Sequence, residues 1–225
     1  KLVTVEKGAF YGHVGSMVSL PGKIPGDPEL THEALKDSLR KGAVWLPHSK
    51  LCNSPGHPTW DLTEGKFGIY DRQMFIGDQT LSTLLRVVTE RVRDVDQGCV
   101  IPFARGLSSG VMRPCFLPDG SLLLGQTGRG WGARGGDQAG LQRIAYIGGK
   151  KPADILAVHS APAGFTLKFT ERLAPGVDAE RLQGALKVRS WFYTNTGRYG
   201  SPEHDQRDDA VATVEIADDR RSASV

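Results

Sequence analysis

Two arginines flank a tryptophan inside one glycine-rich stretch, residues 128–136, as Arg129, Trp131 and Arg134. Guanidinium forks match carboxylates and an indole stacks on a flat ring, so this trio suits a planar, anionic ligand. Gln126 lies just upstream, and Ser109, Asp78, Gln79 and Arg113 are the polar groups expected to line the rest of such a site. The competing reading is structural: the glycines let a long loop turn, both arginines are solvated, and Trp131 fills a gap between sheets. A dinucleotide loop is excluded, because a strand rather than a helix follows the glycines. As a nucleic-acid segment the stretch is short, single and pinned between strands, so no nucleic-acid partner is expected.

Among six histidines, His13 has the best case for chemistry. It follows Phe10-Tyr11-Gly12, and a general base working near neutral pH is most often histidine. A structural or surface histidine is the alternative. No histidines or cysteines show metal spacing, and no metal ligands are assigned. Glu203, Asp205, Asp208 and Asp209 carry the residue types of a calcium loop, although a solvated acidic loop is the reading carried forward. Cys52, Cys99 and Cys115 form no CxxC and no CxxCH. Cys115 reads as a buried free thiol in an apolar strand, and a Cys99–Cys115 disulfide stays open.

The elements that would position these groups show a repeat. Met74-Phe75-Ile76-Gly77-Asp78-Gln79-Thr80 is echoed by Leu122-Leu123-Leu124-Gly125-Gln126-Thr127, and Gly77 and Gly125 lie 48 positions apart. That is the span of one four-stranded propeller blade, about 40–50 residues. Each echo is followed by an apolar-Arg-apolar strand, Leu85-Arg86-Val87 and then Gln142-Arg143-Ile144, and only in the second is the join long. Short β-rich segments are expected at 73–77, 83–92, 99–104, 113–117, 121–126 and 141–147, with a hairpin turn at Pro118-Asp119-Gly120. The unbroken apolar runs 74–76 and 122–124 predict strands covered on both faces. If 113–117 is the innermost strand of its blade, antiparallel alternation puts loops 107–110 and 128–136 on one rim, near the axis where propellers hold ligands.

The flanks are less regular. Residues 31–41 predict a helix capped by Thr31 and stopped by Gly42, and 43–47 a short strand. Residues 54–58, rich in proline, read as a loop. A Gly/Pro linker at 148–152 separates two expected domains, 1–148 and 152–225. Beyond it, strands are expected at 155–158, 165–169, 186–193 and 211–216, with a helical turn at 180–185. The fold expected is all-β: a partial β-propeller of two to three blades followed by an incomplete Ig-like β-sandwich. So few blades cannot close a ring, which should leave apolar surface such as Phe75 or Leu123 open.

Hydrophobic content of 39% and charged content of 24% exclude a disordered chain, and a net charge of +3 is too slight to argue for an anionic partner. No apolar run approaches the roughly 20 residues of a membrane span, so no membrane partner is expected. The chain opens at Lys1 and closes in Ser222-Ala223-Ser224-Val225, which reads like the start of a strand, so a longer parent chain is expected.

The stretch 113–127, with its Pro-Asp-Gly turn, together with Leu141-Gln142-Arg143-Ile144, resembles the blade pattern of glucose/sorbosone dehydrogenase-like β-propellers. The likeness is greatest to large multidomain members, in which a sandwich and often a haem-bearing cytochrome c module follow the propeller. The resemblance implies a segment of an extracytoplasmic, periplasmic or secreted sugar or alcohol dehydrogenase. Its cofactor would be pyrroloquinoline quinone, with calcium as a further ion. Arg129, Arg134 and Gln126 would hold the quinone and Trp131 would stack on it; His13 would be the base, and Asp78, Gln79, Ser109 and Arg113 would face a small sugar or alcohol. The expected partners are the remainder of the propeller and a cytochrome c electron acceptor; no haem motif lies in this chain. The alternative is a non-catalytic propeller module that binds carbohydrate or protein.

Overall fold

The apolar run 74–76 lies in the interior of a four-stranded antiparallel meander. The computed structural model describes residues 1–12, 31–130, 132–149, 151–194 and 201–225. Strands are numbered in chain order. The first sheet runs β1 (Pro55–Trp60), β2 (Met74–Asp78), β3 (Thr83–Val92), β4 (Val95–Ala104), each paired with the next. Arg93 and Asp94 turn β3 into β4 with φ of 47° and 64°. Two successive left-handed residues make the type of turn whose twist matches paired strands.

A second, three-stranded meander follows: β5 (Val111–Phe116), β6 (Leu122–Thr127) and β7 (Ala139–Ile144). Its first hairpin turns where expected. Asp119 Oδ1 accepts from Ser121 N at 2.9 Å, Gly120 adopts φ 85°, and Gly120 N donates to Leu117 O. The repeat is visible in the register: Phe75 stands opposite Arg86, and 48 residues later Leu123 stands opposite Arg143.

The two sheets pack face to face around Phe67, Tyr70, Phe75, Leu84, Val111, Leu122 and Leu124. Phe67, Phe75 and Phe116 meet edge to face, with ring centres 5.1–5.7 Å apart. Gly77 lets the sheets approach, since a Cβ there would stand 2.5 Å from Val111 O and nearer still to its Cγ1. On the far side of the first sheet, Met74, Ile76 and Val87 pack against Val44 and Leu2. With both faces covered, every residue of β2 is buried, as its unbroken apolar run predicts.

The second sheet differs. Along β6, Leu122, Leu124 and Gln126 are buried while Leu123, Gly125 and Thr127 are only half-buried. One face therefore looks outward, and Leu141 on it is 70% exposed. Of the two residues expected on an open apolar surface, Leu123 is half-buried on this outer face, and Phe75, which faces the second sheet, is fully buried. Cys115 is also exposed rather than buried, because it shares the outer face with Leu123 and Arg143. All three cysteines are free.

A third sheet runs β12 (Glu215–Ile216), β13 (Ser222–Ser224), β9 (Gly164–Phe169), β8 (Ile155–Ala161), so the chain's last strand returns beside β9. Residues 1–2, 43–176 and 215–225 form one compact unit containing all three sheets; the expected domain boundary at 148–152 lies inside it.

Residues 3–42 and 177–214 form a second unit. Its helix α1 is a single turn (His32–Leu35), capped by Thr31 Oγ1 accepting from Ala34 N at 3.1 Å; the longer helix expected over 31–41 ends in turns as Ser38 Oγ caps Leu35 O. Helix α2 (Ala179–Ala185) covers the helical turn expected at 180–185 and is capped by Asp178, whose side chain accepts from Arg181 N. Strand β10 (Val188–Phe192) pairs with β11 (His204–Asp209). The acidic residues expected in a loop thus lie largely on a strand, where Asp208 meets Arg189 at 2.9 Å and Asp209 meets Arg207 at 3.0 Å. Only Val214 is buried among this unit's described residues. The described chain is all-β, several antiparallel sheets without a closed barrel.

Candidate functional site

Three turns of the first unit share one rim, and hydrogen bonds bind them together. The 128–138 loop between β6 and β7 is tied to the β2–β3 turn by Arg134 N donating to Thr80 O at 2.8 Å and Gly135 N to Ser82 Oγ at 2.9 Å. It is tied to the segment before β5 by Asp137 N donating to Ser108 O and Ser109 Oγ to Asp137 O. Gly135 is required by that contact, since a Cβ there would stand 2.5 Å from Ser108 O. Loops 107–110 and 128–136 therefore lie on the same rim, as strand alternation requires.

Most polar residues expected to face a ligand are consumed in building this rim. Asp78 is fully buried and accepts from four donors: Leu81 N at 2.6 Å on Oδ1, and Asn53 N, Ser54 N and the Cys52 thiol on Oδ2 at 2.6–2.8 Å. Burial and the bond to Asp78 push the Cys52 thiol pKa up. Gln126 donates to Ser109 O and accepts from Ser108 Oγ, and Gln79 donates to Thr127 O at 3.2 Å. Ser109 and Gln79 are both buried. Arg113 lies away from this cluster, exposed on the outer face of the second sheet opposite Gly125. Arg129 is exposed, with its backbone N–H on Thr127 Oγ1. His13 and Trp131 lie outside the described residues.

Among the described residues of the expected set, Arg134 lines a pocket. Its volume is about 120 Å³, and its walls are Ser49, Lys50 and Leu51, Leu81 with Thr83 and Leu85 of β3, and Pro102 of β4 with Arg105 and Gly106 just beyond it. Three cations from separate segments meet there, and no lining residue is a histidine or a carboxylate. Lys50, Thr83 and Arg105 escape the sequence reading because each is ordinary in its local context and only the fold brings them together. Arg129 does not line this pocket, and the Gln126 amide is bonded at both ends.

Two further polar clusters are structural. Arg86 is fully buried and reaches Asp154, Ile155 O, Leu156 O and Gln73. Glu90 accepts from Ser160 N, Gln97 and His159 Nδ1 at 2.8–2.9 Å. Burial alone would raise the Glu90 pKa, but these hydrogen bonds overcome it and hold it down to about 2. Among the described residues no group of three metal-ligating side chains gathers, and no helix is long and apolar enough to cross a membrane. The chain matches no protein-family model, no curated protein and no solved structure.

Proposed function

We propose that this chain is a blade-bearing binding module of a longer propeller-like protein, the non-catalytic alternative of the two readings. One observation carries it. The face of the first sheet that bears Phe75, Gly77, Leu84 and Arg86 receives the second sheet, with Val111 over Gly77. The equivalent face of the second sheet bears Leu123, Gly125, Leu141 and Arg143 in the same register. That second face is open, with Leu141 exposed and only Arg113 atoms, at 3.4 Å, near the place of a Gly125 Cβ. The occupant that fits is another antiparallel sheet, one of its strands placing a β-branched residue over Gly125. It would come from the remainder of the propeller. The sheet built from β8, β9, β12 and β13 is then one half of the sandwich that follows.

Open apolar sheet faces drive association. Sedimentation velocity across a concentration series, with a hydrophobic dye as second readout, tests the reading. Self-association that Leu141→Arg abolishes is the expected result. A chain that stays monomeric and dye-silent at high concentration overturns it.

The sugar or alcohol dehydrogenase reading, with its periplasmic or secreted location, pyrroloquinoline quinone, calcium and cytochrome c acceptor, is the second reading. It rests on the blade resemblance of 113–127 and on Arg134 standing at the rim. Quinone titration with calcium, followed by absorbance and sugar-dependent dye reduction, separates the two: the binding-module reading expects neither signal.

A further inference from the structure

We propose that the pocket under Lys50, Arg105 and Arg134 is a binding site for one small oxyanion group, a phosphate or a carboxylate. This is independent of the sheet-docking reading, which concerns another face of the same unit.

Arg105 and Arg134 come from distant segments to one small cleft, and like charges brought together there favour an anion between them. Among the described residues neither Arg105 nor Arg134 has a carboxylate partner. Asp78, the cross-strand partner of Thr83, is already saturated by four donors.

The second observation is Thr83 itself. It lines the pocket, is 8% exposed, and its Oγ1 is buried with no hydrogen-bond partner. Buried hydroxyls are nearly always bonded, and an orphan beside a cationic cleft marks a missing acceptor. An oxyanion supplies that acceptor. The remaining wall is apolar, Leu81, Leu85 and Pro102, which lowers the local dielectric and strengthens each charge contact. A volume of about 120 Å³ holds several water-sized bodies, enough for a phosphate or a short carboxylate and its waters. It is well below the roughly 300–1,000 Å³ of pockets for drug-sized ligands. Planar guanidinium forks suit either oxyanion, which leaves the choice between them to experiment.

The test is isothermal titration of the full chain with inorganic phosphate and, separately, with succinate, at constant ionic strength set by chloride. Saturable binding of at least one is expected, and whichever binds tighter names the source chemistry. The exposed pair Arg105→Gln and Arg134→Gln, made together, should weaken it at least tenfold with the melting temperature in chloride unchanged. Thr83→Val keeps the shape and suits a strand. It should weaken binding severalfold while leaving the anion-free melting temperature equal or higher, because the lost hydroxyl had no partner. No saturable binding of either anion overturns the proposal, as does binding that survives the double arginine variant. Thr83→Val binding like the parent removes the threonine from the site and, with it, the orphan-hydroxyl argument.

Discussion

The Arg86 guanidinium, wholly buried in β3, meets Asp154 Oδ2 at 3.2 Å while its partner Asp154 is 41% exposed. The same guanidinium donates to Gln73 Oε1 at 2.7 Å, Ile155 O at 2.9 Å and Leu156 O at 3.1 Å, and lies 4.5 Å from the centre of the Tyr70 ring. One cation thus ties the first sheet to the strand that opens the third. The backbone carbonyls and Gln73 matter more than the half-exposed carboxylate, because buried acceptors cannot turn to water when the donor goes.

Replacing Arg86 by Met should therefore destabilise the chain by about 3–5 kcal/mol, since Gln73 Oε1 and Ile155 O lose a charged donor and Leu156 O keeps only the Gln73 amide. Arg86→Lys should recover little, because one ammonium cannot serve acceptors spread around a planar fork. Asp154→Asn should cost only about 0–1 kcal/mol, as expected of a half-exposed ion pair. Urea denaturation midpoints measure all three. A Met variant as stable as the parent would show that the clamp holds nothing.

The sequence predicts Arg86 and Arg143 as equivalents, and the register makes them so, yet their fates differ. Arg143 ends in solvent on Asp119 and Ser121, whereas Arg86 is covered by residues some 70 positions away. Local pattern reports the slot; long-range packing decides what fills it. The hairpin at 118–120 and the doubly covered β2 are legible because each is determined within a few residues. Strand β1 is not, since Pro55, Gly56 and Pro58 read as loop. Prolines are tolerated there because β1 is an edge strand with an irregular register between Pro55 and Pro58, and Gly56 is needed where Met112 passes close. The shared rim follows from strand alternation alone, but which polar groups face a ligand does not. Asp78, Gln126 and Ser109 satisfy one another's loops, and that bonding depends on loop conformations the residue types do not specify.

Glu90 gives a pH dependence with a definite sign. Its folded-state pKa, about 2, lies below the roughly 4.3 of an unfolded glutamate. The unfolded chain therefore binds more protons in between, and stability rises with pH there. The contribution is complete above the unfolded value and is lost as pH falls toward 2. Urea midpoints between pH 2 and 6 should fall steeply on the acid side, and Glu90→Gln should flatten that slope. An unaltered slope would mean that the Glu90 bonds to Ser160, Gln97 and His159 do not persist in solution.

The three thiols should react in a fixed order. Cys115 is exposed on the outer face of the second sheet, Cys99 is partly buried, and Cys52 is buried against Asp78. Burial pushes the Cys52 and Cys99 pKa values up, which lowers the reactive thiolate at neutral pH. One equivalent of a thiol reagent should be consumed quickly, a second slowly, and the third only in denaturant. Cys115→Ser should remove the fast phase. Slowing of that phase as concentration rises would report a partner covering the outer face.

Gly77 and Gly125 occupy the same place in successive sheets, and their substitution should separate a filled face from an open one. A Cβ on Gly77 would strike the Val111 backbone, which cannot rotate away, so Gly77→Ala must part the two sheets over Phe75 and Leu124. Overpacking of that kind costs typically 1–3 kcal/mol. A Cβ on Gly125 meets only Arg113 atoms, at 3.4 Å. Gly125→Ala should therefore be neutral or should stabilise by a few tenths of a kcal/mol, since alanine loses less backbone entropy in a strand than glycine does. Thermal melts of the two variants at low concentration measure the contrast. If Gly125→Ala is as damaging as Gly77→Ala in a chain shown to be monomeric, the outer face is already covered and the docking surface does not exist.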